Sequence, residues 1–435
     1  MVEFRIERLG IDELRPSPLN ARTHSRKQVS QIAASIQEFG FNNPVLVDRN
    51  SMILAGHGRV EAAKTLGLKY VPVIRIEHLT DGQKRAFSIA DNRIALNAGW
   101  DLEMLALDLK ELAKLELPFD LEITGFDTAE IDLLIDGNPR QKDDPADKSP
   151  FLRTEAVSQP GDLWILGEHK LLCADALDKA SYALLLGEER ARLVFTDPPY
   201  NVPIEGHVSG LGAVKHREFA MASGEMSRAE FESFLTTVCR NMTEVSVDGA
   251  IHFICMDWRH MGEVLVAGNQ VYSELKNLCV WNKDNGGMGS FYRSKHELVF
   301  VFKVGTTAHV NTVELGRSGR YRTNVWDYAG ANTFRAGRED DLAMHPTVKP
   351  TALVIDAIKD CSRRGDIVLD PFSGSGTTIM AAHKSRRRAR VLEIDPLYVD
   401  VAVRRWQQFT GETAYLDGDV QSFDEVERQR SDPLR

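Results

Sequence analysis

Apolar positions change their spacing along this chain, and the change outlines its architecture. Near the N-terminus, Val29, Ile32, Ile36 and Phe39 recur three and four residues apart within KQVSQIAASIQEF, which places them on one helical face. GRVEAAKTL and DGQKRAFSIADNRIAL are helix-like as well, and the short apolar runs PVLVD (44–48) and YVPVI (70–74) predict strands. These elements make a small α+β unit. Further along, DLWIL, KLLCA, RLVFT, AIHFICM, LCVW, ELVFVFKV, DIVLD and RARVLEI read as strands, several of them apolar throughout, as in strands covered on both faces. Helical stretches follow many of them, including RAEFESFLTTVCRNM, PTALVIDAIKDCSRR and TTIMAAHKSR, so the larger part is predicted to be α/β with a doubly wound sheet.

Between the two parts, GNPRQKDDPADKSP combines Gly, Pro and charge with almost no apolar content. A linker is expected over residues 137–155, separating a first domain at 1–136 from a second at 156–435.

Composition narrows the functional classes. No run approaches the roughly 20 apolar residues of a spanning helix, and the first residues, MVEFRIERLGIDELRP, hold no apolar signal-like region. A cytoplasmic protein without membrane contact is expected. The five cysteines lie far apart with no C-x-x-C pair, so buried free thiols and no metal centre are expected. A formal net charge of −10 argues against a uniformly basic, non-specific DNA-binding surface. Lys215, His216, Arg217, Arg293, Lys295, Arg317, Arg320 and Arg322 nevertheless fall in one central region, either as a local basic cleft or as scattered solvated charges.

Two strand ends carry the candidate chemistry. DIVLDPFSGSGTTIMAA runs from strand through a small-residue turn into a helix, where the backbone can approach a ligand and unpaired N–H groups point at it. Asp370, Pro371, Phe372, Ser373, Gly374, Ser375, Gly376 and Thr377 form this segment, and Glu393 ends the following strand at the spacing of a ribose-binding acid. Asp370 would repel a pyrophosphate but could pair with an amino-acid ammonium, which points away from NAD and ATP and toward S-adenosylmethionine. RLVFTDPPYN is the second strand end. An exocyclic amino group that attacks a methyl carbon must lose a proton and aim its lone pair. Asp197 and the Pro198 carbonyl could each accept one N–H, Pro199 stiffens the turn, and Tyr200 could stack on the base.

At these residues the chain resembles the amino-group DNA methyltransferases. Asp197-Pro198-Pro199-Tyr200 matches their [DNS]-P-P-[YFW] motif, and Asp370 to Thr377 resembles their D-P-F-x-G-x-G-T. The likeness spans roughly residues 160–410, and the catalytic motif precedes the cofactor motif, the order of the beta class. It implies a Rossmann-like fold, S-adenosylmethionine as cofactor, double-stranded DNA as partner, a target-recognition region within 201–345, and a homodimer as a resemblance-based guess. By the same likeness, Lys349 in HPTVKP would lie by the cofactor carboxylate and Asp175 in GEHKLLCADAL by its adenine. Arg293 and Lys295, in a basic and aromatic stretch, become candidates for phosphate contacts.

The first domain resembles the ParB/sulfiredoxin-like fold through RPSPLNAR (15–22) and AGHGRVEAAKTLG (55–67). Gly56, His57, Gly58 and Arg59 would then sit at a helix start suited to phosphate, and the domain would take a nucleotide or protein ligand. In the beta class D-P-P-Y more often accompanies adenine N6 methylation, so adenine is favoured. Cytosine N4 methylation is the nearest alternative, and a nucleotide-regulated ParB-like DNA-binding protein with an inactive methylase is the alternative of another class.

Overall fold

In the computed structural model the chain forms two units, Met1–Gly137 and Asn138–Arg435. The structure describes residues 5–115, 117–136, 144–202, 222, 224–284, 286, 291–313, 322–330, 349–418 and 421–430.

The first unit holds β1 (Ile6–Gly10), α1 (Arg26–Phe39), β2 (Val45–Val47), β3 (Ile53–Ala55), α2 (His57–Thr65), β4 (Tyr70–Arg75), α3 (Asp81–Ala95), α4 (Leu102–Leu112) and α5 (Thr128–Asp136). Its sheet has the order β1-β4-β2-β3. Val45, Val47, Val71 and Val73 stack from the strands onto Val60 and Ala63 of α2. Helix α1 starts where Ser25 accepts a hydrogen bond from the Gln28 N–H, a side-chain cap for an otherwise orphan donor. Its predicted apolar stripe is only partly covered. Ala33 is the buried residue, and Phe39 reaches sideways to meet Phe119 edge-on at 5.4 Å. Helices α4 and α5 close over a small cluster of Leu109, Leu121 and Ile131.

The second unit continues with β5 (Leu163–Leu166), β6 (His169–Cys173), α6 (Lys179–Leu186), β7 (Ala191–Thr196), α7 (Arg228–Glu244), β8 (Ser246–Met256), α8 (Met261–Val271), β9 (Glu274–Asn282), β10 (His296–Lys303) and β11 (Val325–Asp327). It ends with α9 (Thr351–Cys361), β12 (Ile367–Asp370), α10 (Thr377–Ser385), β13 (Arg388–Glu393), α11 (Pro396–Thr410), β14 (Tyr415–Leu416) and α12 (Phe423–Arg430). The sheet order is β11-β9-β10-β8-β7-β12-β13-β6-β5-β14. Strands β8, β7, β12, β13 and β6 run parallel, and β10, β9 and β5 add antiparallel pairings at the flanks. The apolar runs are explained by burial on both sides: Leu193 and Phe195 pack with Leu353 and Ile358 of α9, while Val194 packs with Phe231 and Val238 of α7.

From β7 the chain proceeds to its neighbour β8, and from β12 it proceeds the other way to β13. Strands β7 and β12 are themselves neighbours, with Leu193 beside Val368 and Val194 beside Leu369. The sheet therefore reverses its winding between the two strands that carry the candidate motifs, the place where such sheets open a crevice at their C-terminal ends.

The segment expected to be a linker is corrected in part. Residues 137–143 lie outside the described residues, but from Asp144 the chain is built into the second unit. Ala146 is fully buried and its carbonyl accepts from Arg405 Nε (3.0 Å) and Nη2 (2.7 Å). Asp147 accepts from the Thr351 N–H at 2.8 Å, and Asp144 pairs with Lys384. A polar segment can pack when distant groups satisfy its polar atoms, which composition does not reveal.

Candidate active site

The first candidate turn leaves β7 at Thr196. Tyr200 Oη donates to Asp197 Oδ1 at 2.6 Å, fixing the carboxylate and the ring together. The exit is held by Asn201, which has a φ of 53° and is 9% exposed. Its amide donates to the Met226 carbonyl at 2.8 Å and accepts from the N–H groups of Gly224 and Met226. Asparagine is among the few residues that tolerate this backbone region.

The second candidate turn follows β12. Asp370 is buried and accepts from Thr196 Oγ1 (3.0 Å), the Phe372 N–H (3.0 Å) and Thr378 Oγ1 (2.6 Å). Burial pushes its carboxyl up to about 6, against those three bonds. About four acceptor positions exist on a carboxylate, so Asp370 chiefly organises the loop and has one position left. Glu393 at the end of β13 accepts from the Gly374 N–H (2.7 Å) and the Asp395 N–H (2.9 Å). Its burial pushes the carboxyl up to about 7.

Both turns line one cavity. Asp197, Pro198, Pro199 and Tyr200 form one part of its wall; Asp370, Pro371, Phe372, Ser373, Gly374, Ser375, Thr377 and Glu393 form another. Ala174, Ala176, Phe195 and Ile394 add apolar surface.

Two of the expected cofactor residues lie off this cavity wall. Asp175 does not line the cavity, although its neighbours Ala174 and Ala176 do; its carboxylate accepts from the Leu177 N–H at 2.8 Å and closes its own turn. Gly376 is absent from the wall as well. A Cβ there would stand 2.9 Å from Ala402 Cβ, so this glycine lets α10 approach α11. Gly374, by contrast, has open space where a Cβ would project.

Lys349 lines the cavity, and its ammonium turns to Asp197. Nζ lies 2.5 Å from Asp197 Oδ2, 2.9 Å from Glu297 Oε2 and 3.2 Å from Tyr200 Oη. Burial alone would discharge it; Asp197 and Glu297 overcome this and hold it protonated. Glu297, near the start of β10, also pairs with Lys283, and the two lysines outweigh its burial and hold it down at about 2. Burial raises Asp197, Lys349 opposes this, and Glu297 adds to it. Sequence reading missed Glu297, although one signal was present: an acid inside the otherwise apolar strand HELVFVF.

The residues present fit a nucleoside with an amino-acid moiety. Ser373 Oγ is buried without a partner among the described residues and sits on the cavity wall. The open space above Gly374 and the raised carboxyl of Glu393 supply, respectively, backbone access and an acceptor for hydroxyl groups.

Arg293 and Lys295 are exposed between β9 and β10, beside Phe291 and Tyr292, whose rings meet edge-on at 4.7 Å. Arg322 is not part of a free basic cleft. It is bonded to Asp360, Tyr328 and Asp356. Lys215, His216, Arg217, Arg317 and Arg320 lie outside the described residues, as do residues 203–221, 314–321 and 331–345 of the expected recognition region. All five cysteines are free, and four are buried. No helix of the described residues is long and apolar enough to cross a membrane.

In the first unit, Gly56 caps α2 with φ 105°, and His57 Nε2 accepts from the Ser17 N–H at 3.3 Å. A Cβ on Gly58 would stand 3.0 Å from the His24 ring. Arg59 Nη1 donates to the carbonyls of Asn43 (2.7 Å) and Pro44 (2.9 Å), so this arginine ties the fold's own backbone.

Three family models match the chain, and one of them runs across the boundary between the two units. Residues 191–404 match the model of the DNA methylase family, residues 2–93 the ParB N-terminal domain, and residues 103–160 the ParB-methyltransferase HTH domain. The last match covers α4 and α5 and runs on into the second unit. The chain is 53% identical over 75 residues to the ParB-like nuclease domain-containing protein YnaK of Escherichia coli (strain K12), covering 17% of this chain and 86% of that protein. It is 25% identical over 256 residues to the type II methyltransferase M.HinfI of Haemophilus influenzae, covering 55% of this chain and 68% of that protein. Among solved structures, the PvuII DNA methyltransferase, described as cytosine-N4-specific, aligns at 15% identity and a TM-score of 0.43 over 65% of this chain and 94% of that one.

Proposed function

This chain joins a ParB N-terminal domain to a DNA methylase of the N6/N4 amino-methyltransferase family, and on that premise we propose that it methylates adenine N6 at a specific DNA site. The observation that carries the proposal is the shared cavity, which brings Asp197 and the 370–377 turn to one space. When bound there, S-adenosylmethionine, the cofactor of the family, would supply an electrophilic sulfonium methyl group, whose loss turns the sulfonium into a neutral thioether. Glu393 would hold the ribose hydroxyls, Ser373 and the Gly374 backbone the polar edge of the nucleoside, and the last acceptor position of Asp370 the ammonium.

The chain's own residues then act on the base. A base in the duplex hides its amino group, so the target must leave the stack. The Tyr200 ring would receive it, while Asp197 and the Pro198 carbonyl accept one N–H each. That pair of acceptors aims the nitrogen lone pair away from the base plane, and Asp197 takes the proton released when the N–C bond forms. Exocyclic nitrogen is nucleophilic enough to need no covalent enzyme intermediate. Arg293 and Lys295 would meet phosphates, whose contacts position a duplex without reading it. The ParB-like unit would act as a DNA-proximity or regulatory module with a nucleotide or protein ligand.

Adenine is favoured over cytosine because an aspartate, not a serine, opens the D-P-P-Y turn. The test is expression in a bacterial host free of DNA methylation, followed by digestion of its DNA to nucleosides. N6-methyladenine that is lost with Asp197→Ala supports the reading; N4-methylcytosine would move the assignment to cytosine.

A further inference from the structure

Asp197 does not present an open carboxylate to the cavity. One oxygen accepts from Tyr200 Oη, and the other holds the ammonium of Lys349. An amino group arriving at Asp197 is a donor and must share a carboxylate that already holds Tyr200 on one oxygen and the Lys349 ammonium on the other. Lys349 is only 6% exposed, and a buried cation stripped of its partner is strongly disfavoured. A second acceptor beside Lys349 keeps the ammonium paired as the substrate draws on the same carboxylate.

We propose that Glu297 is a positioning residue for methyl transfer, the second seat that keeps Lys349 paired while Asp197 turns to the substrate amino group. The proposal rests on the reading of Asp197 given above. Glu297 Oε2 already lies 2.9 Å from Lys349 Nζ and 3.1 Å from Tyr200 Oη, so the ammonium needs to shift its balance and not its place. Its other oxygen is held by Lys283, which fixes the carboxylate and keeps it charged. Trp281, opposite Glu297 in the β9–β10 pairing, puts its ring 4.6 Å from Lys283 Nζ and 5.6 Å from Lys349 Nζ, an aromatic floor that favours cations. Two carboxylates and two ammonium groups thus form a neutral cluster in which one cation can be shared between two acids.

The groups facing Asp197 are Lys349, Glu297 on β10, Tyr200 in its own turn, Cys255 on β8 and Asp370 at the end of β12. Glu297 raises the Asp197 carboxyl and Lys349 lowers it. Replacing Glu297 by glutamine removes a negative neighbour and leaves Lys349 on Asp197 alone. The acid limb of the pH–rate profile then moves to lower pH while the rate above it falls. Replacing Lys349 by methionine moves the limb to higher pH. General damage to the fold would lower the rate without this pair of opposite shifts.

The experiment uses the full-length protein and single-turnover transfer of a labelled methyl group from S-adenosylmethionine to unmethylated plasmid DNA. Glu297→Gln is expected to slow transfer by about tenfold or more, the scale of a disturbed charged hydrogen bond, with the acid limb displaced downward and S-adenosylmethionine binding retained. Adding Lys349→Met to Glu297→Gln is expected to recover part of the rate, because the competing cation is gone. An acid limb unmoved in Glu297→Gln, or a double variant that loses the product of the two single losses, would overturn the proposal. If Glu297→Gln is insoluble, Lys349→Met decides alone: an upward shift supports the shared cation, and an unmoved limb overturns it. An Asp197→Asn variant as active as the wild type would instead overturn the reading of Asp197, and this inference with it.

Discussion

Thr196 Oγ1 donates to Asp370 Oδ1 at 3.0 Å, and through this bond the end of β7 grips the end of β12. The two strands are parallel neighbours, so one hydroxyl ties the turn that would hold the base to the turn that would hold the cofactor. Thr196→Val keeps shape but deletes this donor beside a buried acid. The expected loss is about 1–3 kcal/mol of stability, with a several-fold weaker affinity for S-adenosylmethionine. Thermal melting and calorimetric titration of the same variant measure both.

Glu393 gives a pH prediction with a definite sign. Its folded pKa, about 7, lies above its ordinary value of 4.5 because of burial. A carboxyl raised on folding contributes stability that is present below the unfolded value and is lost as pH rises through the folded one. The cofactor-free protein should therefore lose stability between about pH 4.5 and 7, by at most about 3 kcal/mol from this group. Glu393→Gln should flatten that part of the melting-temperature profile, while weakening S-adenosylmethionine binding at pH 8 by about tenfold.

The two turn glycines should behave differently. Gly376→Ala drives a Cβ into Ala402 at a φ of 84°, so about 1–3 kcal/mol of stability should be lost. Gly374→Ala meets open space at φ 52° and should cost about 1 kcal/mol, while reducing cofactor affinity by more than its effect on melting explains. Equal binding losses in two equally destabilised variants would contradict this division.

Arg405 is 2% exposed and donates to Ala146 O on one side and to Ser375 O (3.0 Å), Ser375 Oγ (3.2 Å) and Thr377 Oγ1 (3.2 Å) on the other. Arg405→Leu leaves several buried acceptors unpaired and should lower stability by about 2–4 kcal/mol. Denaturant midpoints at constant slope would measure it.

What the sequence disclosed and what it hid follow from how far each interaction reaches. Asp197 to Tyr200 and Asp370 to Thr377 are contiguous strings at strand ends, and Glu393 follows Gly374 by 19 residues within one strand–helix–strand unit. Such local arrangements leave a mark in spacing. Lys349 and Asp197 are 152 residues apart and Tyr200 and Glu297 are 97 apart, so nothing in local pattern joins them. Local pattern therefore shows neither that Lys349 meets Asp197 nor that Glu297 stands beside Tyr200. Arg322 was grouped with basic neighbours because charge shows in sequence and its partners Asp356 and Asp360 do not. Segment 144–147 misled for the same reason, since Arg405 satisfies Ala146 from 259 residues away.

The anchoring of Asp144, Ala146 and Asp147 sets where the protein can be divided. Asp144 reaches α10 through Lys384, Ala146 reaches the 370–377 turn through Arg405, and Asp147 meets the start of α9 two residues after Lys349. A graft that exchanges the first unit for another domain must place its seam upstream of Asp144. A seam cut at residue 150 would carry away three pegs on which the enzyme's working loops are hung.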